Sequence, residues 1–240
     1  MIHRTSLLAA FLVATSLSAS AQVALWNFNS PTPDANTGTG TTNPVFGTGT
    51  LSVIGGVAAP TFSSGDANGG SSDLSTGDDS GLQTTGYPAQ GSADLSAGVQ
   101  FNISTVGFSV SSFTFDLRTS NTSSRFFSVT YSLDGTNFTP SGTVFASPAG
   151  DTWNNVSTVD FSGIAGVSDN PNFAVRIVAT FAPATSTYVA ASNGTAATYA
   201  GGTYRFDMVT LNGSAIPEPS AVVLGLAGLG GILALRRRGS

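Results

Sequence analysis

Phe127, Val129, Tyr131 and Leu133 alternate with Ser128, Thr130 and Ser132, a pattern that restricts a chain to half-buried strands. Successive strand side chains leave opposite faces, so one face here is apolar and the other carries short hydroxyls. The same period runs through Val99-Phe101-Ile103, Phe108-Val110 and Phe113-Phe115-Leu117. Asp134-Gly135 marks a tight turn, and Asn137-Phe138-Thr139 begins a return strand. Val156-Thr158 with Val159 and Phe161, then Phe173-Val175-Ile177-Val178, continue the series, and Tyr204-Phe206-Met208 with Val209 and Leu211 closes it. Nearer the start, Val23 to Asn29 reads as a strand with Trp26 and Phe28 facing one core, and Leu51 to Val57 as another. No stretch between these runs keeps a helical period. Short strands punctuated by Gly, Asn, Ser and Pro predict an all-β chain, an antiparallel β-sandwich.

Two segments, about 30–50 and 63–90, are rich in Gly, Ser, Thr, Asn and Asp and read as long loops. The second holds Asp66, Asp73, Asp78 and Asp79. Calcium binds such hard oxygens, yet the spacing fits neither an EF-hand nor a nonapeptide loop, and the four aspartates read as a solvated acidic loop.

The two ends bracket this body. Arg4, an apolar stretch from Leu7 to Leu17 and Ala19-Ser20-Ala21 make a secretory signal peptide cut after Ala21. At the other end stand Pro217-Glu218-Pro219, an uncharged run from Ala221 to Leu235, and Arg236-Arg237-Arg238. Fifteen helical residues span roughly 22 Å, short of a ~30 Å hydrocarbon core, so a buried or interfacial helix is the alternative to a membrane span. The arginines favour a span that stops with its charged end in the cytoplasm. The chain then divides into a signal peptide (1–21), an exported body (22–214) and a C-terminal segment (215–240), with the body outside the cytoplasm.

Pro-Glu-Pro, a short apolar helix and a terminal arginine cluster resemble the PEP-CTERM sorting signal of Gram-negative bacteria. The resemblance implies signal peptidase and the Sec machinery as early partners, then exosortase, a membrane-embedded cysteine protease-transpeptidase. It implies transient anchoring to the inner membrane facing the periplasm, then release to the cell surface or extracellular matrix, in association with exopolysaccharide or biofilm. Ser104 to Phe108, Phe115 to Arg125, Val129 to Gly135 and Tyr204 to Val209 are also similar to a block found in exported PEP-CTERM proteins. Their pattern resembles jelly-roll, galactose-binding-like and carbohydrate-binding domains. In jelly-roll carbohydrate-binding families a structural calcium joins the first strand to the last, which would place it here at Asn27, Asn29 and Asp207. Pairing of Asp207 with Arg205 is the alternative. The family often has Asp-Asn where this chain has Asp207-Met208, which puts a ligand after Asp207 in doubt.

Residue types exclude most catalysis. The single histidine, His3, lies in the signal peptide, and the chain has no cysteine and no lysine. A Ser-His-Asp triad, thiolate zinc and Schiff-base chemistry are therefore excluded from the body. An aspartate pair acting as a glycoside hydrolase is the remote remaining enzyme. Four arginines against twelve aspartates give the body a net charge of −8, which argues against nucleic acid as a partner. Sugar rings stack on aromatic faces, so Trp153, Tyr87, Tyr188 and Tyr199 are the candidate glycan contacts, with core packing as the alternative. The expected function is a non-catalytic, structural or adhesive surface protein, or a module binding an envelope or matrix polysaccharide.

Overall fold

A computed structural model describes residues 21–74, 77–192 and 198–217. The strands are β1 (Ala21–Trp26), β2 (Phe46–Gly47), β3 (Thr50–Ile54), β4 (Thr61–Ser64), β5 (Ser80–Thr84) and β6 (Gly98–Asn102). They continue as β7 (Phe108–Thr119), β8 (Phe126–Ser132), β9 (Thr139–Ala146), β10 (Thr152–Asp160), β11 (Ala174–Ala179) and β12 (Tyr204–Ala215). All pair antiparallel, in two sheets. One sheet runs β10-β7-β12-β1-β2, with β5 also on β12 and β4 on β5; the other runs β3-β6-β11-β8-β9.

Rings fill the space between the sheets. Trp26 from β1 meets Phe101 from β6 edge-on, with centroids 5.0 Å apart, and Phe115 from β7 meets Phe127 from β8 at 6.0 Å. Phe113, Leu117, Val129, Val175, Ile177, Phe206 and Leu211 complete a fully buried core. Each such side chain contributes about 1.5–3 kcal/mol on burial, and this core replaces the disulfides that a cysteine-free chain cannot make.

β12 is the middle of its sheet. Tyr204–Phe206 pairs with β5, Val209–Gly213 pairs with β1, and β7 follows its other edge from Tyr204 to Ala215. Met208 breaks the expected alternation: its φ of 46° and the register shift between Asp207 and Thr210 mark a bulge. The extra residue lets both Phe206 and Val209 face the core while Asp207 faces outward. A second shift explains why Phe108-Val110 and Phe113-Phe115-Leu117, of opposite parity, form one twelve-residue strand and not two.

Three strands fall where loops are expected. β2 lies within 30–50, and β5 lies within 63–90, where the end of β4 and a short 3-10 turn (Ala67–Gly69) also fall. Too few apolar residues mark them because their stability comes from pairing and from cover on the outer face of the seven-stranded sheet. Trp153, a candidate glycan contact, belongs to β10. Among the described residues no helix is long and apolar enough to cross a membrane. Ala19, Glu218, Pro219, the run 221–235 and Arg236, Arg237 and Arg238 lie outside the described residues; Pro217 is exposed just past β12.

Candidate cation site on the outer face of the seven-stranded sheet

The acidic loop does not float in solvent. It lies across the outer face of the sheet and is fixed there by three partners. The Trp153 indole donates to Ala67 O at 2.9 Å, Asn155 Nδ2 donates to Gly70 O at 3.1 Å, and the Ser72 amide donates to Asp116 Oδ2. Asp116 also accepts from the Val156 amide at 2.6 Å. Antiparallel pairing sets Asp116 directly opposite Asp207 on the same outward face. Like charges so placed repel unless something neutralises them.

Asp73 and Asp79 from the loop approach Asp207, and one carboxylate oxygen of each lies within 4.8 Å of the others. Asp79 and Asp207 are buried, at 1% and 0% exposure. Both oxygens of Asp79 and Oδ2 of Asp207 have no hydrogen-bond partner among the described residues. Asp207 Oδ1 accepts from the Met208 amide at 2.7 Å, which the bulge makes possible. Burial pushes the Asp79 carboxyl up to about 7, and the neighbouring charges of Asp66 and Asp73 add to the effect. Burial, then the charge of Asp79, holds Asp207 well above the ordinary carboxylate range. A buried carboxylate with no donor is costly unless a cation neutralises it.

The end of β1 braces this cluster. Asn29 Nδ2 donates to Asp73 Oδ2 at 2.8 Å, and its Oδ1 accepts from the Ser80 amide at 2.7 Å. Asn29 thus positions the ligands with both ends of its amide committed. Asn27 Oδ1 accepts from the Asn29 amide at 3.4 Å. Arg205 does not pair with Asp207. Its guanidinium donates to Ser64 O at 2.6 Å and Gln83 Oε1 at 2.7 Å, and burial beside Arg118 lowers it to about 10. Gly65 completes the cradle, since a Cβ there would collide with the Asp79 carboxylate.

Backbone strain surrounds the site. Phe28, Val156 and Met208 all have positive φ, at 58°, 54° and 46°. Such conformations cost about 1–3 kcal/mol each in residues with a Cβ, and they adjoin Asn29, Asp116 and Asp207. The donor set is all hard oxygen, without nitrogen or sulfur. That fits calcium, which takes six to eight oxygens in flexible geometry, better than a transition metal. Asp73, Asp79 and Asp207 would hold it, with the exposed Asp66 beside them.

The four aromatic candidates are packed. Trp153, Tyr87 and Tyr188 are 7%, 8% and 2% exposed, and Tyr199, half-buried, stacks on Tyr188 at 4.5 Å. The Tyr188 hydroxyl donates to Ser92 and Ala93 carbonyls and the Tyr199 hydroxyl to Pro88 O. Trp153, Tyr87 and Tyr188 are too covered to offer a ring face to a sugar, and these rings lock loops onto the sandwich. Asp73 and Asp79 stood out in the sequence only as loop acids, because their approach to Asp207 spans more than half the chain.

Compared with described protein families and with curated proteins, the sequence matches none. Among solved structures it is similar to the N-terminal CBM22-1-CBM22-2 tandem domain from Paenibacillus barcinonensis Xyn10C, at 10% identity and a TM-score of 0.44, over 86% of this chain and 48% of that one.

Proposed function

We propose that this chain is a non-catalytic structural or adhesive protein of the cell surface or extracellular matrix, whose jelly-roll-like body is locked by a bound calcium ion. It is exported behind its signal peptide, held in the inner membrane by its apolar C-terminal run and processed by exosortase at Pro217-Glu218-Pro219. The observation that carries the reading is the Asp73–Asp79–Asp207 set, three convergent carboxylates of which Asp79 and Asp207 are buried with oxygens that lack a hydrogen-bond partner. They sit where an ion ties the acidic loop to β12, with Asn29 at the end of β1 bracing Asp73. A hydrolase needs its carboxyl pair flanking a bond in an open cleft. Asp79 and Asp207 are covered by the loop, so their chemistry favours holding an ion over moving protons. Outside the cytoplasm even a weak site fills, since extracellular modules work with dissociation constants of about 10⁻⁴–10⁻³ M.

The test uses the full chain in a Gram-negative host that carries an exosortase. The wild type is expected at the surface, shortened at its C-terminus and resistant to protease in calcium but not in chelator. Asp207→Asn should reach the surface and be degraded in both conditions. Replacing Pro217, Glu218 and Pro219 with alanine should leave an unprocessed, membrane-bound precursor. Equal protease resistance of wild type with and without calcium would overturn the locking role, and normal processing of the alanine variant would overturn the sorting role.

A further inference from the structure

The outer face of the five-stranded sheet carries a second, unrelated arrangement. Cross-strand pairing sets Ser52 of β3, Gln100 of β6, Arg176 of β11, Thr130 of β8 and Pro140 of β9 in one row. Next to it run Thr50, Asn102, Ala174 and Ser132. Arg176 lies over the Phe138 ring, 3.4 Å from its centroid, and its Nε donates to Gln100 Oε1 at 2.7 Å. Gln100 Nε2 in turn donates to Asn102 Oδ1 at 2.8 Å, and Asn102 Nδ2 to Thr50 Oγ1 at 3.2 Å.

Arg176 is held at its base and by its face, while its terminal nitrogens find no carboxylate. Among the described residues the ion pair is Arg118 with Asp151, elsewhere in the molecule. The nearest acid on the bordering hairpin, Asp134, is already committed to the Thr136 and Asn137 amides, the Ser132 hydroxyl and Asn137 Nδ2. Arg176 is half-exposed, so its terminal nitrogens remain within reach of a ligand. Stacking and the Gln100 bond fix the guanidinium plane, so little freedom remains to be lost when a carboxylate docks on its fork. Asn102 also borders an open cleft of about 230 Å³, lined by Ser104, Gly135, Pro171 and Asn172.

We infer that this face binds a carboxylate-bearing polysaccharide, with Arg176 gripping a uronate carboxylate and the Gln100-Asn102-Thr50 row and its cleft taking neighbouring sugar hydroxyls. A flat row of short amides and hydroxyls suits a hydroxylated chain better than a peptide, which would need apolar pockets or a free strand edge. The adhesive reading supplies the setting on which this inference rests. Its test is separate, because it is read on purified protein and calcium locking is read in protease resistance.

The full chain, purified in mild detergent with calcium present, is titrated with trigalacturonate, neutral galactotriose and a glutamate-rich peptide by calorimetry. Trigalacturonate should bind and the neutral trisaccharide should bind at least tenfold more weakly. Arg176→Gln should lose tenfold or more in affinity for trigalacturonate, and Phe138→Ala a smaller factor, both with unchanged melting temperatures. If Arg176→Gln melts early, Phe138→Ala and Asn102→Ala carry the test, each with reduced affinity expected. No binding of trigalacturonate, equal binding of the neutral sugar, preference for the peptide, or undiminished affinity in the folded variants would overturn the inference.

Discussion

Replacing Asp207 with asparagine separates a calcium site from a mere acidic cluster, because the two predict opposite signs. In the metal-free wild type, burial raises the Asp79 carboxyl from 3.8 to about 7, so the folded state holds a proton that the unfolded chain has released. Stability must then fall as pH rises from about 4 to about 7, and level off above that. Three units at ~1.4 kcal/mol each set an upper limit of about 4 kcal/mol for the loss. Calcium reverses it. At a hundred times its dissociation constant it contributes about 2.7 kcal/mol. For a body of this size that is a rise of about 5–10 °C in melting temperature. Scanning calorimetry at about pH 5 and about pH 8, in chelator and in calcium, should show the larger calcium shift at the higher pH. Asp207→Asn puts a neutral amide where burial already favours a neutral carboxyl, so in chelator it should melt close to the wild type and should not respond to calcium. A wild type whose melting point ignores calcium at both pH values would refute the reasoning, as would a variant that keeps the shift.

Trp153→Ala should cost about 3–5 kcal/mol, less whatever the loop recovers by settling, and should open 65–79 to protease; peptide mapping of the digest locates the cut. Gly65→Ala pushes a methyl group against the Asp79 carboxylate, at a cost of about 1–3 kcal/mol that falls on the ion site, so calcium titration should show weakened affinity while circular dichroism stays unchanged. Asp116→Ala strands the Ser72 and Val156 amides, each worth about 1–3 kcal/mol when buried without an acceptor, and should lower the urea midpoint; Asp116→Asn, which keeps an acceptor oxygen, should recover part of the loss.

The alternating runs announced the core strands because burial of one face needs a visible period. Phe127 and Val129 in β8 and Val175 and Ile177 in β11 face the core as expected, whereas Leu133 falls past the end of β8 and is 40% exposed. Bulges blurred what period alone could give. Met208 seemed an inward residue by parity, yet as the extra residue of a bulge it lets Val209 take the inward place. β4 and β5 were hidden for a different reason: Ser63, Ser64, Ser80 and Gly81 carry no apolar signal, and their pairing is specified by backbone bonds and by the residues that cover them. The ion site was half legible. Asp207 and Asn29 could be named from the resemblance to jelly-roll families, but nothing local in Asp73 or Asp79 shows that a distant tryptophan and an aspartate fasten their loop over β12. Trp153, Tyr87 and Tyr188 are packing rings, since a ring stabilises most where it is covered.

β12 is the last strand of the described chain and also the one against which β7, β1 and β5 all pair. A ribosome therefore makes every other piece of that sheet before its keystone exists. Until Tyr204 to Ala215 emerges, β1, β5 and β7 each keep an unpartnered edge, and the closing contacts join residues almost two hundred positions apart. High sequence separation makes such closure slow. The order of synthesis thus acts as a timer, keeping the sheet open while the chain is still growing and snapping it shut only when the segment leading to Pro217 has been made.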